Sequence, residues 1–426
     1  MTAELARRIA FTLGGLLVFR LGTYIPIPGI APDALHRIIS QHHDGLPGLA
    51  DAATGGAIQR VSIFSLGIAP YLSAAIILQL LALVIPRFHA RSRCGESGRR
   101  AMVRYTVGLA ILLALLQAYG ISLALQNADG LVREPGPLFL LTTTVSLVGG
   151  AVFLIWLAEQ MTLRGIGNGL ALLLCVGILA KFVASIASTA ELARLGLMSG
   201  AALLVLAALA VAGVALIVVM ERARRILPLV FTHRPGGGAG LTPQRGHLAL
   251  KLNGAGIIPA IAAAWLASIP IAIVGLIARP EQGWLAAALR FMQPGKPAHM
   301  VFTVVVVIIV ALIYTAFVVD PEHAAESLRA RGGAFPGIAP GEASTDHLDR
   351  VVTSTTLVGA AYLVLMLLMP EALIAYAKVP YYFGGASALI MVCVVLDIEA
   401  QVRGLVRTGR GTNAHEIDSS RTAGGG

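Results

Sequence analysis

Ten continuous apolar windows, each bounded by Pro, Gly or charged residues, divide the chain at 9–25, 67–85, 103–126, 138–158, 168–190, 200–220, 255–278, 300–319, 352–369 and 383–400. Each approaches the roughly 20 residues that an α-helix needs to cross a bilayer. The pattern predicts ten spans with both chain ends on one side. One stretch breaks it. Between Leu46 and Pro86 the first half, LADAATGGAIQRVS, carries Asp51, Gln59 and Arg60 around Gly55 and Gly56, and is too short and polar to face lipid. The second half, GIAPYLSAAIILQLLALVIP, is close to a full span. Polar or non-helical backbone survives at membrane depth only inside protein or beside a water-filled cavity, because lipid gives unsatisfied N–H and C=O groups no partner. A broken helix at the wall of a cavity is therefore expected.

Composition agrees with many spans. The 426 residues are 57% hydrophobic and 13% charged, with a mean hydropathy of +0.80, which excludes an ordinary soluble protein. Arg7 and Arg8 precede the first apolar run as in a signal peptide, but Arg20 and YIPIPG follow without a small-residue cleavage site, so the first span is expected to be retained. With the N-terminus cytoplasmic, 22 Lys and Arg fall on that side and nine on the other, which orients both termini inward. The net charge of +10 is thus gathered mostly on one face. That face suits anionic headgroups; a nucleic-acid partner is the alternative, with no nucleic-acid module in the sequence to carry it. Two connections on the same side, 221–251 and 320–350, are longer than neighbouring helices require and are candidate docking sites.

Candidate chemistry is sparse. Cys94, Cys175 and Cys393 fall singly, without disulfide or metal-ligand spacing. RPGGGAG lacks the Lys-Ser/Thr ending of a phosphate-binding loop and reads as a linker. The GIGNG run at 165–169 follows no strand and reads as a tight turn into the fifth span. Ion-coupled transport usually keeps a charge at mid-depth, yet Glu159, Asp397 and Glu399 sit at cytoplasmic span ends and Lys181 in the outer third. Arg20, inside the first span, is expected to snorkel or to bind carbonyls of the PIPG turn. No HExxH, GxSxG or clustered carboxylates occur, so neither an enzyme nor a cofactor or metal site is expected. Glycines such as those of LVGG at 147–150 suit close helix approach. What remains is an apolar-lined cavity, and apolar constrictions can close a pore to water and ions.

Seven blocks in order carry a family likeness: FRLGTYIPIPGI (19–30), GGAIQRVSIFSLGIAPYLSAAIILQLL (55–81), GESGRRAMVRYT (95–106), WLAEQMTLRGIGNG (156–169), LALKLNGAGIIPAI (248–261), GAFPGIAPGE (333–342) and FGGASALIMVCVVLDIEAQV (383–402). The chain resembles the SecY family, pore subunits of the bacterial protein-conducting translocon, nearly end to end. The resemblance implies an all-α polytopic membrane protein with ten transmembrane helices in two pseudo-symmetric five-helix halves around a central pore, closed by a short plug helix. The halves are expected at 1–195 (plug at 49–62) and 196–410 (with the two long cytoplasmic loops), followed by a flexible cytoplasmic tail at 411–426.

Position by position, the resemblance implies a pore ring of Ile68, Leu72, Leu174, Ile178, Ile261 and Ile390, and a plug with Leu49, Gly55, Gly56 and Arg60. It implies a lateral gate between the second and seventh spans with Pro70, Ser73, Gln79, Asn253, Gly256 and Pro259. Motor or ribosome docking falls to Arg222, Arg224, Arg225, Arg329, Arg331, Ala339 and Glu342. The implied partners are SecE and SecG, the SecA motor or a ribosome, signal-bearing preproteins and membrane lipids in the bacterial plasma membrane.

Three departures from the family pattern stand out. PGIAPGE places Ala339 where the family has an important arginine; ERARRILPL puts Ile226 at the second arginine of a pair; and ADAATGG lacks the usual Phe and Met bulk of the plug. A divergent copy with altered motor coupling and restricted clients is therefore one alternative. A small-molecule secondary transporter is another, and it predicts a polar mid-membrane site.

Overall fold

A computed structural model describes residues 3–30, 57, 60–85, 88, 95–127, 130–196, 199–231, 244–254, 256, 258–262, 296–318, 321–339, 341–377 and 384–423. The helices are α1 (Ala3–Gly22), α2 (Ala69–Val84), α3 (Gly95–Gln126), α4 (Pro137–Arg164), α5 (Gly169–Arg194), α6 (Gly200–Arg222), α7 (Pro297–Val318), α8 (Pro321–Ala330), α9 (Glu342–Ala377) and α10 (Gly385–Ala423). Three strands, β1 (Arg224–Phe231), β2 (Gln244–Lys251) and β3 (Gly333–Ala334), complete the described elements. Nine of the ten expected spans coincide with helices; of 255–278 only a few residues, helical at 258–262, are described. Among the described residues seven helices are long and apolar enough to cross a membrane, namely α3 to α7, α9 and α10. The 16 residues of α2 give about 24 Å, short of a hydrocarbon core of about 30 Å. The missing length lies in the non-helical run at 60–68, which bears out a break there.

Contact density divides the chain into two compact units, Met1–Ser188 with Ile390–Gly426, and Thr189–Leu389. In the first, α3 lays a ridge of small residues, Ala110, Ala114, Ala118 and Ser122, along one face, all fully buried. Spacing by four keeps them in line, and small side chains let α2 and α4 approach closely. The Ser122 and Thr144 hydroxyls, 3.1 Å apart, add a polar tie between α3 and α4. Leu147 and Ala151 of α4 fill the same core as Ala114 and Ala118. Gly150 meets the 60–68 run so closely that a Cβ there would lie 2.1 Å from the Ile63 carbonyl oxygen. Next along that run, the Phe64 ring stacks between Phe19 and Phe153 at 6.3 and 5.9 Å.

The GIGNG run forms the turn expected of it, joining α4 to α5 with Gly167 at φ +85°. Three of its backbone donors are taken up by side chains from three helices. Thr12 Oγ1 accepts from Ile166 N at 3.0 Å, Gln401 Oε1 from Gly167 N at 2.8 Å, and Thr162 Oγ1 from Gly169 N at 2.8 Å. Gln401 thereby ties α10 to the first unit, whereas the sequence placed the whole tenth span with the C-terminal half. The same helix continues to Ala423, through most of the stretch expected as a tail.

In the second unit α7 packs on α9, and His299 Nδ1 lies 2.7 Å from Glu371 Oε1 across that contact. The fold is mostly helical, but the described parts of the two long connections contribute a small sheet. β1 pairs antiparallel with β2 from Arg224↔Lys251 to Phe231↔Gln244, and with β3 at Val230↔Ala334 and Phe231↔Gly333. The cause is alternation: Leu227 and Leu229 point inward while Ile226 and Pro228 are exposed. Leu227 and Leu229 share a core with Phe335 and with Leu348, Val351 and Val352 of α9. Pro228 is tolerated because β3 reaches only Val230 and Phe231, leaving β1 an open edge at the proline.

Candidate functional site

The six expected ring residues are apolar and largely withdrawn from solvent. Ile68 immediately precedes α2 and its carbonyl accepts from Leu72 N at 3.1 Å, so both side chains rise from one helical turn. Leu174 and Ile178 stand four apart on α5, again on one face, and Ile390 lies near the start of α10. Ile68, Leu174, Ile178 and Ile390 are buried, Leu72 is half-buried, and all five belong to the first unit. Ile261, half-buried, belongs to the second.

Of the expected plug, Leu49, Gly55 and Gly56 lie outside the described residues, and Arg60 lies within them. The Arg60 guanidinium carbon sits 4.3 Å from the centroid of the Tyr24 ring. Arg20 lies 5.1 Å from the same centroid and donates from Nη2 to the Tyr24 hydroxyl at 3.0 Å. Sequence reasoning singled out both arginines and missed the tyrosine between them. YIPIPG offered an exposed aromatic at a span end, a position usually explained by the membrane interface alone.

The residues expected to form a gate fall on two stretches, α2 and 253–259. Pro70 starts α2 without needing a backbone donor, while Ser73 and Gln79 follow half-buried on the same helix. Asn253 is buried, and its Nδ2 donates to Glu221 Oε1 at 2.7 Å and to the Gly256 carbonyl at 3.1 Å. Gly256 has φ +62°, a left-handed turn that a Cβ disfavours, and Pro259 is buried in the short helical stretch that follows. One amide thus joins the end of α6 to the start of the seventh span. Glu221 was not foreseen, since nothing in an E-R pair at a helix end distinguishes a network member from a solvated charge.

All seven positions expected to serve docking are exposed, at the ends of α6, α8 and α9 and the start of β1. Arg222 ends α6, Arg224 and Arg225 open β1, and Arg329 and Arg331 bracket the end of α8. Ala339 and Glu342 flank the turn into α9, where Ser344 Oγ donates to the Ala339 carbonyl at 2.9 Å. Ile226 is 66% exposed on the outer face of the hairpin. Arg224 faces Lys251 across the strands, so the base of the hairpin concentrates positive charge. Among the described residues no group of three or more His, Cys, Asp and Glu is placed to hold a metal.

A polytopic helical membrane protein, with an interrupted span in one unit and a basic sheet at the helix ends of the other, is the class these features define. A family model for SecY matches residues 62–399, and the chain belongs to the SecY family. It is 40% identical over 411 residues to the protein translocase subunit SecY of Escherichia coli (strain K12), covering 96% of this chain and 93% of the relative. It is 39% identical to that of Vibrio cholerae over 94% and 91%. Its fold is similar to a solved protein-conducting channel with a TM-score of 0.64 at 18% identity, covering 93% and 91% of the two chains. Sec61 in a canine ribosome–channel complex is similar at 0.63, also at 18% identity and with the same coverage.

Proposed function

We propose that this chain is the pore subunit of a protein-conducting channel, passing unfolded preproteins across the bacterial plasma membrane and releasing hydrophobic segments sideways into lipid. The observation that carries the reading is a SecY match along nearly the whole chain, interrupted span included, at about two residues in five. Ile68, Leu72, Leu174, Ile178, Ile261 and Ile390 form the constriction, whose apolar surface sheds water when no chain is threaded. Residues 49–62 form the plug. The second and seventh spans are the lateral gate, a two-state contact that an apolar signal helix replaces at modest net cost because its alternative is water or lipid. SecE and SecG complete the channel, and SecA or a ribosome docks on the basic sheet with both termini of this chain cytoplasmic.

One observation favours altered motor coupling. Ala339 and Ile226 are both exposed on the docking layer, where the resemblance leads one to expect arginines, and neither can supply the fork of donors that a guanidinium offers a carboxylate. The test of the pore is cross-linking. A photoreactive residue at Leu174 or Ile261, in the chain assembled with SecE and SecG, is expected to label a preprotein arrested in transit, and one at exposed Leu204 of α6 is not. Equal labelling at all three would remove the ring assignment.

A further inference from the structure

The turn between α4 and α5 is held as a rigid platform. Thr162 Oγ1 accepts from Gly169 N and donates to the Ala158 carbonyl, both at 2.8 Å, and Asn168 Oδ1 accepts from Leu170 N at 3.0 Å to cap the first turn of α5. Gly169 is needed there, because a Cβ would collide with the Ala158 carbonyl oxygen. From α1, Thr12 Oγ1 accepts from Ile166 N at 3.0 Å and donates to the Arg8 carbonyl at 2.9 Å. One donor of the platform reaches α10: Gly167 N donates to Gln401 Oε1 at 2.8 Å. Only the oxygen of the side-chain amide can receive a backbone N–H, so the acceptor is fixed by chemistry.

Apolar packing supports the same tie. A Cβ at Gly167 would lie 3.4 Å from Leu172 of α5 and 3.5 Å from Ile398 of α10, so these two side chains flank one point. Heights along both helices can be counted from it, since α5 leaves this point and α10 arrives at it. Ile178 lies six residues beyond Leu172, about 9 Å, and Ile390 eight residues before Ile398, about 12 Å. The two ring residues therefore differ in height by about 3 Å, less than one helical turn. On α10, Gln401, Ile398, Val394 and Ile390 follow at intervals of three, four and four, which is one helix face, and the last two are buried. An apolar stripe fixes its height weakly, because a slide of one turn exchanges Val for Ile at little cost. A polar residue with one partner on a rigid turn admits one register, as a single buried amide does in a coiled coil.

We propose, resting on the channel reading, that Gln401 is a positioning residue for the pore: its hydrogen bond to Gly167 locks α10 to the α4–α5 turn and so holds Ile390 level with Ile178. Gln401 touches no translocating chain in this role. A bond of this kind favours one register over its neighbours by about fivefold.

The test uses the full chain assembled with its own SecE and SecG, with Cys94, Cys175 and Cys393 replaced by alanine. Cysteines are introduced as the level pair 178 and 390, or as the pairs one turn out of step, 178 with 394 and 174 with 390, and joined by a short bifunctional thiol reagent. The level pair is expected to be joined in preference to both others. Gln401→Leu is expected to lower that preference about fivefold, and to raise resting potassium flux about fivefold in liposomes when the ring residues are left intact. Gln401→Glu retains an acceptor oxygen, and Thr12→Val removes an acceptor from the same turn but not from α10; both are expected to stay within twofold of the unaltered complex. Unchanged preference and flux in Gln401→Leu overturn the lock and leave the channel reading standing. So does an equal loss in Thr12→Val or Gln401→Glu, because the turn at large, or something other than the acceptor, would then set the height. A preference for either out-of-step pair in the unaltered chain overturns the registration without any variant. An unaltered complex that keeps the level pair but imports no preprotein, by SecA or a ribosome, overturns the channel reading and with it a role for Gln401 in a pore.

Discussion

The adjacent glycines of α4 form a matched pair, because only one of them meets the interrupted span. A Cβ added at Gly149 finds nothing within 4 Å, whereas at Gly150 it lies 2.1 Å from the Ile63 carbonyl oxygen and 3.2 Å from the Phe64 ring. Restoring ordinary contact at Gly150 requires a backbone shift of about 1 Å, an overpacking cost of about 1–3 kcal/mol. Alanine also gains about 1 kcal/mol over glycine in a helix, and that gain is common to both sites. Gly149→Ala is therefore neutral or mildly stabilising, and Gly150→Ala falls below it by the overpacking term alone. The shift acts on Ile63 and Phe64, so it also disturbs the approach to Ile68 and Leu72. Thermal inactivation midpoints of the two variants in the assembled complex, read beside resting flux, give the order. Gly150→Ala matching or exceeding Gly149→Ala in stability, with unchanged flux, would refute the close approach.

Asn253→Asp brings a carboxylate 2.7 Å from Glu221 in a buried setting, so it should destabilise the second unit more than Asn253→Ala, which loses about 1–3 kcal/mol; thermal melts that reverse the order would exclude the Asn253–Glu221 tie. Gly385→Ala would set a Cβ 1.7 Å from the Met366 carbonyl oxygen and should lower the yield of folded protein, whereas Gly120→Ala, with open space around it, should not. The Arg8 hydrogen bond, aided by the charges of Arg7 and Arg8, holds the Glu4 carboxyl below its ordinary 4.5. A depressed carboxylate contributes stability above its unfolded pKa and loses it as pH falls through the folded one. Carboxyl NMR should place the Glu4 midpoint below 4.5 and return it towards that value in about 1 M salt; a midpoint at 4.5 in low salt would contradict the pairing.

Continuous apolar runs made the membrane helices legible, because a span must satisfy its backbone within itself and face lipid with apolar atoms along its whole length. The break before α2 was legible for the complementary reason, polar residues and glycines where a span could not hold them. The sheet was written more faintly. RRILPLVF alternates over only a few positions, its proline argues against a strand, and its partners lie in β2 and, about a hundred residues on, in β3. The core of that layer depends on Phe335 and Leu348, which no local period connects to Leu227. The small-residue ridge of α3 was present in the spacing of Ala110, Ala114 and Ala118, and was lost among the many alanines of the chain. At the site, residue types carried the ring and the docking arginines through a family likeness. Tyr24 and Glu221 depended on which side chain a fold brings opposite, and no spacing encodes that.

Import of a signal-bearing preprotein into proteoliposomes holding this chain with SecE and SecG, driven by SecA and ATP, tests the channel most directly, with Ala339→Arg run in parallel. Ala339 is exposed, so the added guanidinium should cost little stability. Protease-protected, full-length product from the unaltered chain, increased in Ala339→Arg, is the predicted result. No protected product from either, in complexes that assemble and resist heat like other channels of this family, would contradict protein conduction as the work of this chain.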